Sequence, residues 1–191
     1  MGNCKPENSI YMPFIRNADG PMEYTPGAMN SMQPDNYSAR RPNSASIGTR
    51  AYQMALFVVF ESGLQMLADN PTLYYNNEDC IKFISSVPVL WDETKVLDAK
   101  LGEHLVLAKR NADTWYLGGM TAERKEPLEM DVVLDFLAEG KTYKLTSFED
   151  GANADRQAMH YTKNVREVRK GDTVKIRMVR NGGYAASLEA L

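Results

Sequence analysis

Residues 13–30 read PFIRNADGPMEYTPGAMN, and the reading of this stretch decides the architecture of the whole chain. It opens inside an apolar run that starts at Ile10 and breaks at Asn17-Ala18-Asp19-Gly20. Gly20-Pro21 and Pro26-Gly27 then mark turns with a physical cause: proline presets φ, and glycine takes the positive φ that other residues resist. The run over residues 10–15 predicts a strand. The polar loop after it continues through residues 31–46, SMQPDNYSARRPNSAS, towards a helix that begins near Ile47. Strand, demanding loop and helix in that order read as one βα unit of an α/β protein, where loops after strand ends carry the chemistry. Arg16, Asp19 and Glu23 are the charged residues of this loop and its candidate substrate-proximal side chains.

Outward from the loop, residues 47–68 predict one long helix with Ser46 or Thr49 as N-cap. Ala51, Met54, Ala55, Val58 and Val59 share a face, and Leu56, Phe57 and Phe60 carry the apolar surface round to the other side. A helix so apolar is buried on most sides. Its surface is wider than one small β-domain covers, so it is expected to pack on another stretch of protein or to drive self-association. Asp69-Asn70-Pro71 is expected to end it, and a shorter helix follows over residues 78–85 after Asn76-Asn77.

Residues 87–92, VPVLWD, read as a linker, and beyond it the hydrophobic period changes to two. Leu128, Met130, Val132 and Leu134 alternate with Glu129, Asp131, Val133 and Asp135; Val174, Ile176 and Met178 alternate with Thr173, Lys175 and Arg177. Such strands keep one face on a core and one in water. Turn signals at Asn111-Ala112-Asp113, Glu139-Gly140, Glu149-Asp150-Gly151, Lys170-Gly171-Asp172 and Asn181-Gly182-Gly183 divide the rest into roughly eight strands, which fits an antiparallel sandwich. Leu105-Val106-Leu107-Ala108 lacks alternation and predicts an inner strand. The expected division is residues 1–91 as a barrel-type tail and residues 92–191 as an antiparallel β-sandwich able to fold alone.

The 191 residues carry 43% hydrophobic and 25% charged residues, as an ordinary globular chain does. A net charge of −3 argues against a nucleic-acid partner, and the basic clusters at Arg40-Arg41 and residues 166–170 read as solvated faces. No apolar run approaches the about eighteen residues that a membrane-spanning helix needs, and the first ten residues show no signal-peptide pattern. Cys4 and Cys80 are too far apart in sequence to read as a zinc site or a disulfide framework, and they are expected to be incidental thiols. His104 sits in an apolar run and reads as structural; His160 stands alone. Cys-His catalysis and histidine-rich metal sites find no support in this pattern.

One strand-loop-helix unit cannot close a barrel, which takes about eight strands. The first 91 residues therefore read as the last βα unit of a (β/α)8 barrel. The same stretches, PFIRNADGPMEYTPGAMN, VPVLWDETKVLDAKLGEHLVLAKRNADTWYLGGMT (residues 87–121), FEDGANAD (148–155), KGDTV (170–174) and NGGYAA (181–186), resemble glycoside hydrolase family 97. That family holds α-glucosidases of starch-utilisation systems and some α-galactosidases. The resemblance covers nearly the whole chain and implies its C-terminal part, placed behind a large β-domain and most of a TIM barrel. It implies a parent hydrolase acting on α-linked oligosaccharides, a periplasmic location, and calcium in the intact enzyme. It also implies a partner in the rest of the barrel or in another copy of the chain. Glu23 stands where the family pattern GPMDYTPG has aspartate, which moves the charge by one methylene.

Glycoside hydrolysis needs two carboxyl groups across the scissile bond. Asp19, Glu23 and Asp35 are the carboxylates near the loop, and acidic residues beside Gly and Pro more often shape turns or meet solvent. The resemblance implies catalytic glutamates and calcium ligands upstream of the matched region, so no catalytic residue and no metal ligand is assigned in this chain. Trp91, Trp115, Tyr116, Tyr143 and Tyr161 would stack on sugars if exposed in a row, as in a carbohydrate-binding module. Trp115 and Leu117 share a strand face, which places Trp115 in a core, and Trp91 at the linker reads as interdomain packing. A purely structural interaction domain is the remaining alternative.

Overall fold

The computed structural model describes residues 5–38 and 44–191; Cys4 and Arg40-Arg41 lie outside them. The chain begins with a short helix, α1 (Pro6–Ser9), whose Pro6 sits in the first turn where proline's fixed φ suits a helix. The strand expected over residues 10–15 is not there. Helical turns continue instead, with Ile10 N–H donating to Pro6 O (2.9 Å) and Ile15 N–H to Tyr11 O (3.0 Å), and a 3-10 turn follows at Asn17–Asp19. Ile10 is fully buried, and Met12 and Phe14 pack on the same core. A short apolar run fits a buried helical turn as well as a strand, and here the turn wins.

The loop 31–46 is closed at its base by a two-residue parallel pair, β1 (Ser31–Met32) with β2 (Ser46–Ile47). Helix α2 (Arg50–Val59) starts where Thr49 Oγ1 accepts the Tyr52 amide at 3.0 Å. It is ten residues long, far shorter than expected. Phe60 is extended (φ −79, ψ 145), and residues 61–68 run instead beside the organising loop. Met22 N–H donates to Glu61 O (2.9 Å), Met66 N–H to Tyr24 O (3.2 Å) and Ala68 N–H to Pro26 O (3.2 Å). The loop thus gives residues 61–68 backbone partners that a longer helix would forgo. Asn70 then caps a further helix, α3 (Pro71–Tyr75), and α4 (Glu78–Ser86) follows.

The rest is antiparallel β. Strands β3 (Glu93–Lys100), β4 (His104–Asn111), β5 (Thr114–Thr121), β6 (Leu128–Val133), β7 (Thr142–Asp150), β8 (Tyr161–Arg169), β9 (Thr173–Met178) and β10 (Gly183–Ala190) form two sheets. One has six strands in the order β3-β4-β5-β10-β7-β8, and the other is the β6–β9 ribbon. The ribbon's Val132, Val174, Ile176 and Met178 pack on Val106, Leu117, Tyr184 and Ala186, giving the sandwich-like arrangement that alternation predicts. The opposite face of the large sheet, with Leu105, Leu107, Tyr116, Met120 and Phe148, carries the helices.

All of residues 51–59 are buried, so the helix expected to lack cover within this chain has it. The sheet covers one side, and the organising loop and α4 cover the other. The ring of Phe60 meets Tyr24 edge-on at 4.7 Å, and Phe57 touches the backbone at Gly27 closely enough that a methyl there would lie 2.7 Å from its ring. The wide apolar surface of α2 is the middle of a core built from both halves of the chain.

Contact between α2 and the sheet is close because two strand positions lack side chains. A Cβ at Gly118 would lie 2.9–3.1 Å from Val58 and Val59, and one at Gly183 would clash with the α2 backbone at Tyr52. Gly183→Ala is therefore expected to cost about 2–3 kcal/mol, roughly 5–10 °C in thermal midpoint, because the obstacle is backbone and cannot rotate away. Gly63→Ala, where a Cβ meets nothing within 4 Å, is the silent control. Differential scanning calorimetry on the two variants checks both.

Candidate functional site

The loop 16–23 is held at two points. The Arg16 guanidinium donates to the carbonyls of Gly20 and Pro21 (both 3.2 Å) and so closes its own turn. Asn17 pairs with the Glu61 backbone in both directions, Nδ2 to O at 3.0 Å and N–H to Oδ1 at 3.2 Å. Arg16, Asp19 and Glu23 are all exposed, and the two carboxylates form no hydrogen bond or ion pair among the described residues. They lie on one loop, but the structure does not join them into a cluster.

Glu61 connects this loop to the sheet. Its carboxylate takes a 2.6 Å ion pair from Lys109 Nζ, which also faces the carbonyls of Val59 (3.3 Å) and Phe60 (3.5 Å) and lies 5.3 Å from the Trp91 ring centre. Lys109 is 1% exposed, and its burial pulls the ammonium below the ordinary lysine range despite the Glu61 charge. The pair stands at the end of a mostly apolar hollow of about 240 Å³, lined by Phe14, Asn17, Val59, Val96 and Leu107. Strand parity signals this lysine in the sequence, since Lys109 shares the face of Leu105 and Leu107.

A second polar cluster joins segments far apart in sequence. Gln33 Nε2 donates to the carbonyls of Ala154 and Arg180 (both 3.0 Å), and Asn181 Nδ2 donates to Glu123 (2.6 Å) and to Gln33 Oε1 (3.3 Å). Arg180 pairs with Asp35 at 2.6 Å and reaches Glu123 at 3.5 Å. Asp35, Glu123 and Arg180 also line a charged cleft of about 600 Å³, together with Arg124, Asp155 and Arg156.

Beside it, Asp150 Oδ2 accepts the amides of Val179 (2.9 Å) and Gly183 (3.1 Å), next to the start of α2. Oδ1 has no hydrogen-bond partner among the described residues. Burial outweighs these bonds and pushes the carboxyl up to about 7. The segments FEDGANAD and NGGYAA thus meet in space, where they fasten the start of α2 to the sheet.

The aromatic residues make no sugar-stacking strip. Trp115, Tyr116 and Tyr143 are buried, Tyr161 is half-buried with its hydroxyl on Asp79 (2.9 Å), and Trp91 packs edge-on to Tyr116 at 5.5 Å. His104 is buried, with Nε2 3.3 Å from Asp98, while His160 is exposed and accepts the Asn153 amide. Cys80 is buried, which pushes its thiol up to about 11. Among the described residues no group of three or more His, Cys, Asp or Glu stands close enough together to hold a metal ion. None of the described helices is long and apolar enough to cross a membrane.

A sequence model of the glycosyl-hydrolase 97 C-terminal domain, described as an oligomerisation domain, matches residues 90–189. The chain belongs to glycoside hydrolase family 97. It is 39% identical over 180 residues to a retaining alpha-galactosidase of Bacteroides thetaiotaomicron, covering 94% of this chain and 27% of that protein. A probable retaining alpha-galactosidase of Streptomyces bingchenggensis is 33% identical over 175 residues, 92% of this chain and 24% of its own length. The chain therefore spans about a quarter of the curated relatives it matches. A family 97 enzyme from Pseudoalteromonas sp. strain K8, solved with panose, superposes with a TM-score of 0.85 at 30% identity, over 100% of this chain and 29% of that one.

Two predictions test these clusters. Asp150 holds its proton to about pH 7 when folded, against an ordinary value of 3.8, so over that window the folded state binds more protons than the unfolded state. The wild type should therefore lose stability as pH rises from about 4 to 7, and Asp150→Asn should flatten that loss while keeping an acceptor for the two amides. Asp150→Ala should cost about 2–4 kcal/mol by leaving those amides buried and unpaired. Urea melts at several pH values read both. For the lysine, Glu61→Gln should cost about 2 kcal/mol by stranding a buried charge, whereas Lys109→Met should be near neutral. Equal losses in the two variants would contradict that assignment.

Proposed function

We propose that this chain is the C-terminal portion of a retaining glycoside hydrolase acting on α-linked galactosides. The observation that carries the reading is the 39% identity with the Bacteroides retaining alpha-galactosidase, which runs over 94% of the chain, helical layer and β-sheets alike. A second reading, α-linked glucosides, draws on the panose complex of the Pseudoalteromonas enzyme.

Retaining hydrolysis needs a nucleophilic carboxylate and an acid/base carboxyl about 5–5.5 Å apart. No such pair is assigned here, and both groups are placed in the portion of the relatives that this chain does not span. The part of residues 1–91 is to complete the end of the catalytic barrel with helices and loops. Glu61, fixed by Lys109, holds the loop that carries Arg16, Asp19 and Glu23. With Arg16 closing the turn, the unpaired carboxylates of Asp19 and Glu23 are free to accept sugar hydroxyls at the mouth of the site. Residues 92–191 serve the association of copies. Calcium and a periplasmic location belong to the intact enzyme in this reading and rest on family resemblance.

The pure 191-residue chain, given activated α-galactoside and α-glucoside, is expected to release no product above buffer. Fused behind the preceding portion of the Bacteroides relative, it is expected to support α-galactoside hydrolysis. Turnover by the isolated chain that disappears in Glu23→Gln would overturn the reading, since the chemistry would then reside in the loop.

A further inference from the structure

The two edges of the six-stranded sheet differ. Edge strand β3 is interrupted by a bulge between Val96 and Asp98, a device that spoils further pairing. Edge strand β8 is regular: it pairs with β7 without a break from Thr142↔Arg169 to Asp150↔Tyr161. Six consecutive residues of β8, 162–167, are exposed, and Val165 is 58% exposed. Among the described residues no strand lies beside its outer edge. A long, regular edge with both faces open is a template for another strand.

We propose that β8 is the surface through which two copies of this chain associate, edge to edge and antiparallel, about a two-fold axis at Val165. The proposal rests on the oligomerisation role given above and names its surface. The occupant follows from the order of charges along the strand, Tyr-Thr-Lys-Asn-Val-Arg-Glu-Val-Arg. A continuous sheet keeps its faces, so residues that face each other across a two-fold axis share strand parity, and the axis must fall on a residue. With the axis at Val165, Lys163 faces Glu167 of the second copy twice over. Asn164 then faces Arg166, Tyr161 faces Arg169, and Val165 meets itself. No like charges oppose each other. Moving the axis to Arg166 sets that arginine against itself and Lys163 against Arg169. Moving it to Asn164 leaves Lys163 against a valine. Within one copy neither Lys163 nor Glu167 forms an ion pair among the described residues, and Lys163 lies over the Phe148 ring at 5.5 Å. Isologous contact of this kind closes at two subunits.

The test is charge reversal and swap on the 191-residue chain, read by sedimentation velocity. The wild type is expected to be a dimer that weakens with added salt. Lys163→Glu and Glu167→Lys alone should each raise the dimer dissociation constant about tenfold or more, and the double variant should restore it. Because the two residues sit four apart on one strand, rescue can only act between copies, so a folding defect cannot imitate it. Independently, Val165→Cys in a Cys4→Ser background should form a disulfide-linked dimer on mild oxidation, while Thr162→Cys should not. A dimer that survives both single reversals and resists cross-linking at Val165 would overturn β8 as the surface while leaving association intact. A wild type that stays monomeric at its highest soluble concentration would overturn the oligomerisation role as well.

Discussion

Helix α2 lies against the sheet at backbone contact distance, and the other elements are arranged around that approach. Gly183 in β10 and Gly118 in β5 supply the space, one beneath Tyr52 and the other beneath Val58 and Val59. Gly119 serves the opposite face, where a Cβ would sit 3.0 Å from the Met178 sulfur of β9. Adjacent residues of β5 therefore admit a helix on one side and the ribbon on the other. Interiors packed to crystal density tolerate few voids, so a sheet that lets a helix so close must be capped tightly beyond it. The organising loop and α4 do this, with Phe60 on Tyr24 and Phe83 on Phe148 (5.3 Å).

Close apolar packing does not by itself fix where the helix begins, and polar groups do so here. Asp150 holds the amides of Val179 and Gly183, and the Thr49 amide at the start of α2 donates to Asn181 O at 2.9 Å. A methyl at Gly182 would collide with the Asp150 carboxylate, so that glycine is required for the carboxylate to reach the amides. The cluster of Gln33, Glu123, Arg180 and Asn181 extends the same fastening to the loop before α2. Buried polar groups of this kind specify one arrangement, because misplacing any of them leaves donors without partners in a low dielectric.

The ribbon was legible because its half-buried strands alternate, and the strands of the large sheet because the turns between them need particular residues. Asn181 shows the link: it holds a left-handed φ of 50°, a conformation that asparagine tolerates better than most residues, at the turn into β10. The organising stretch was not legible, for two physical reasons. Its apolar run is too short for period to separate a strand from a helical turn. Its backbone partners come from residues 61–68, which were read as helix because Gly63 and the polar residues around it break that pattern only weakly. The cover of α2 was missed for a related reason, since nothing local in residues 10–30 shows that they fold back over a helix that follows them. Lys109 was open to discovery by parity. Asp150 was not, because a carboxylate in a Glu-Asp-Gly turn looks the same whether it faces water or two amides.

The helices cover the middle of one face of the large sheet and the ribbon covers the middle of the other, while the outer strand β8 stays exposed. The loop carrying Asp19 and Glu23 takes its position from Glu61 and Lys109, on the helical side. The regular edge at β8 lies on the far side of β7 from β10. The loop proposed to face substrate and the edge proposed for association thus lie on different parts of one core, and a change in pairing at β8 need not disturb the loop. Such separation suits a domain that joins copies of an enzyme while seating the last loops of its active site.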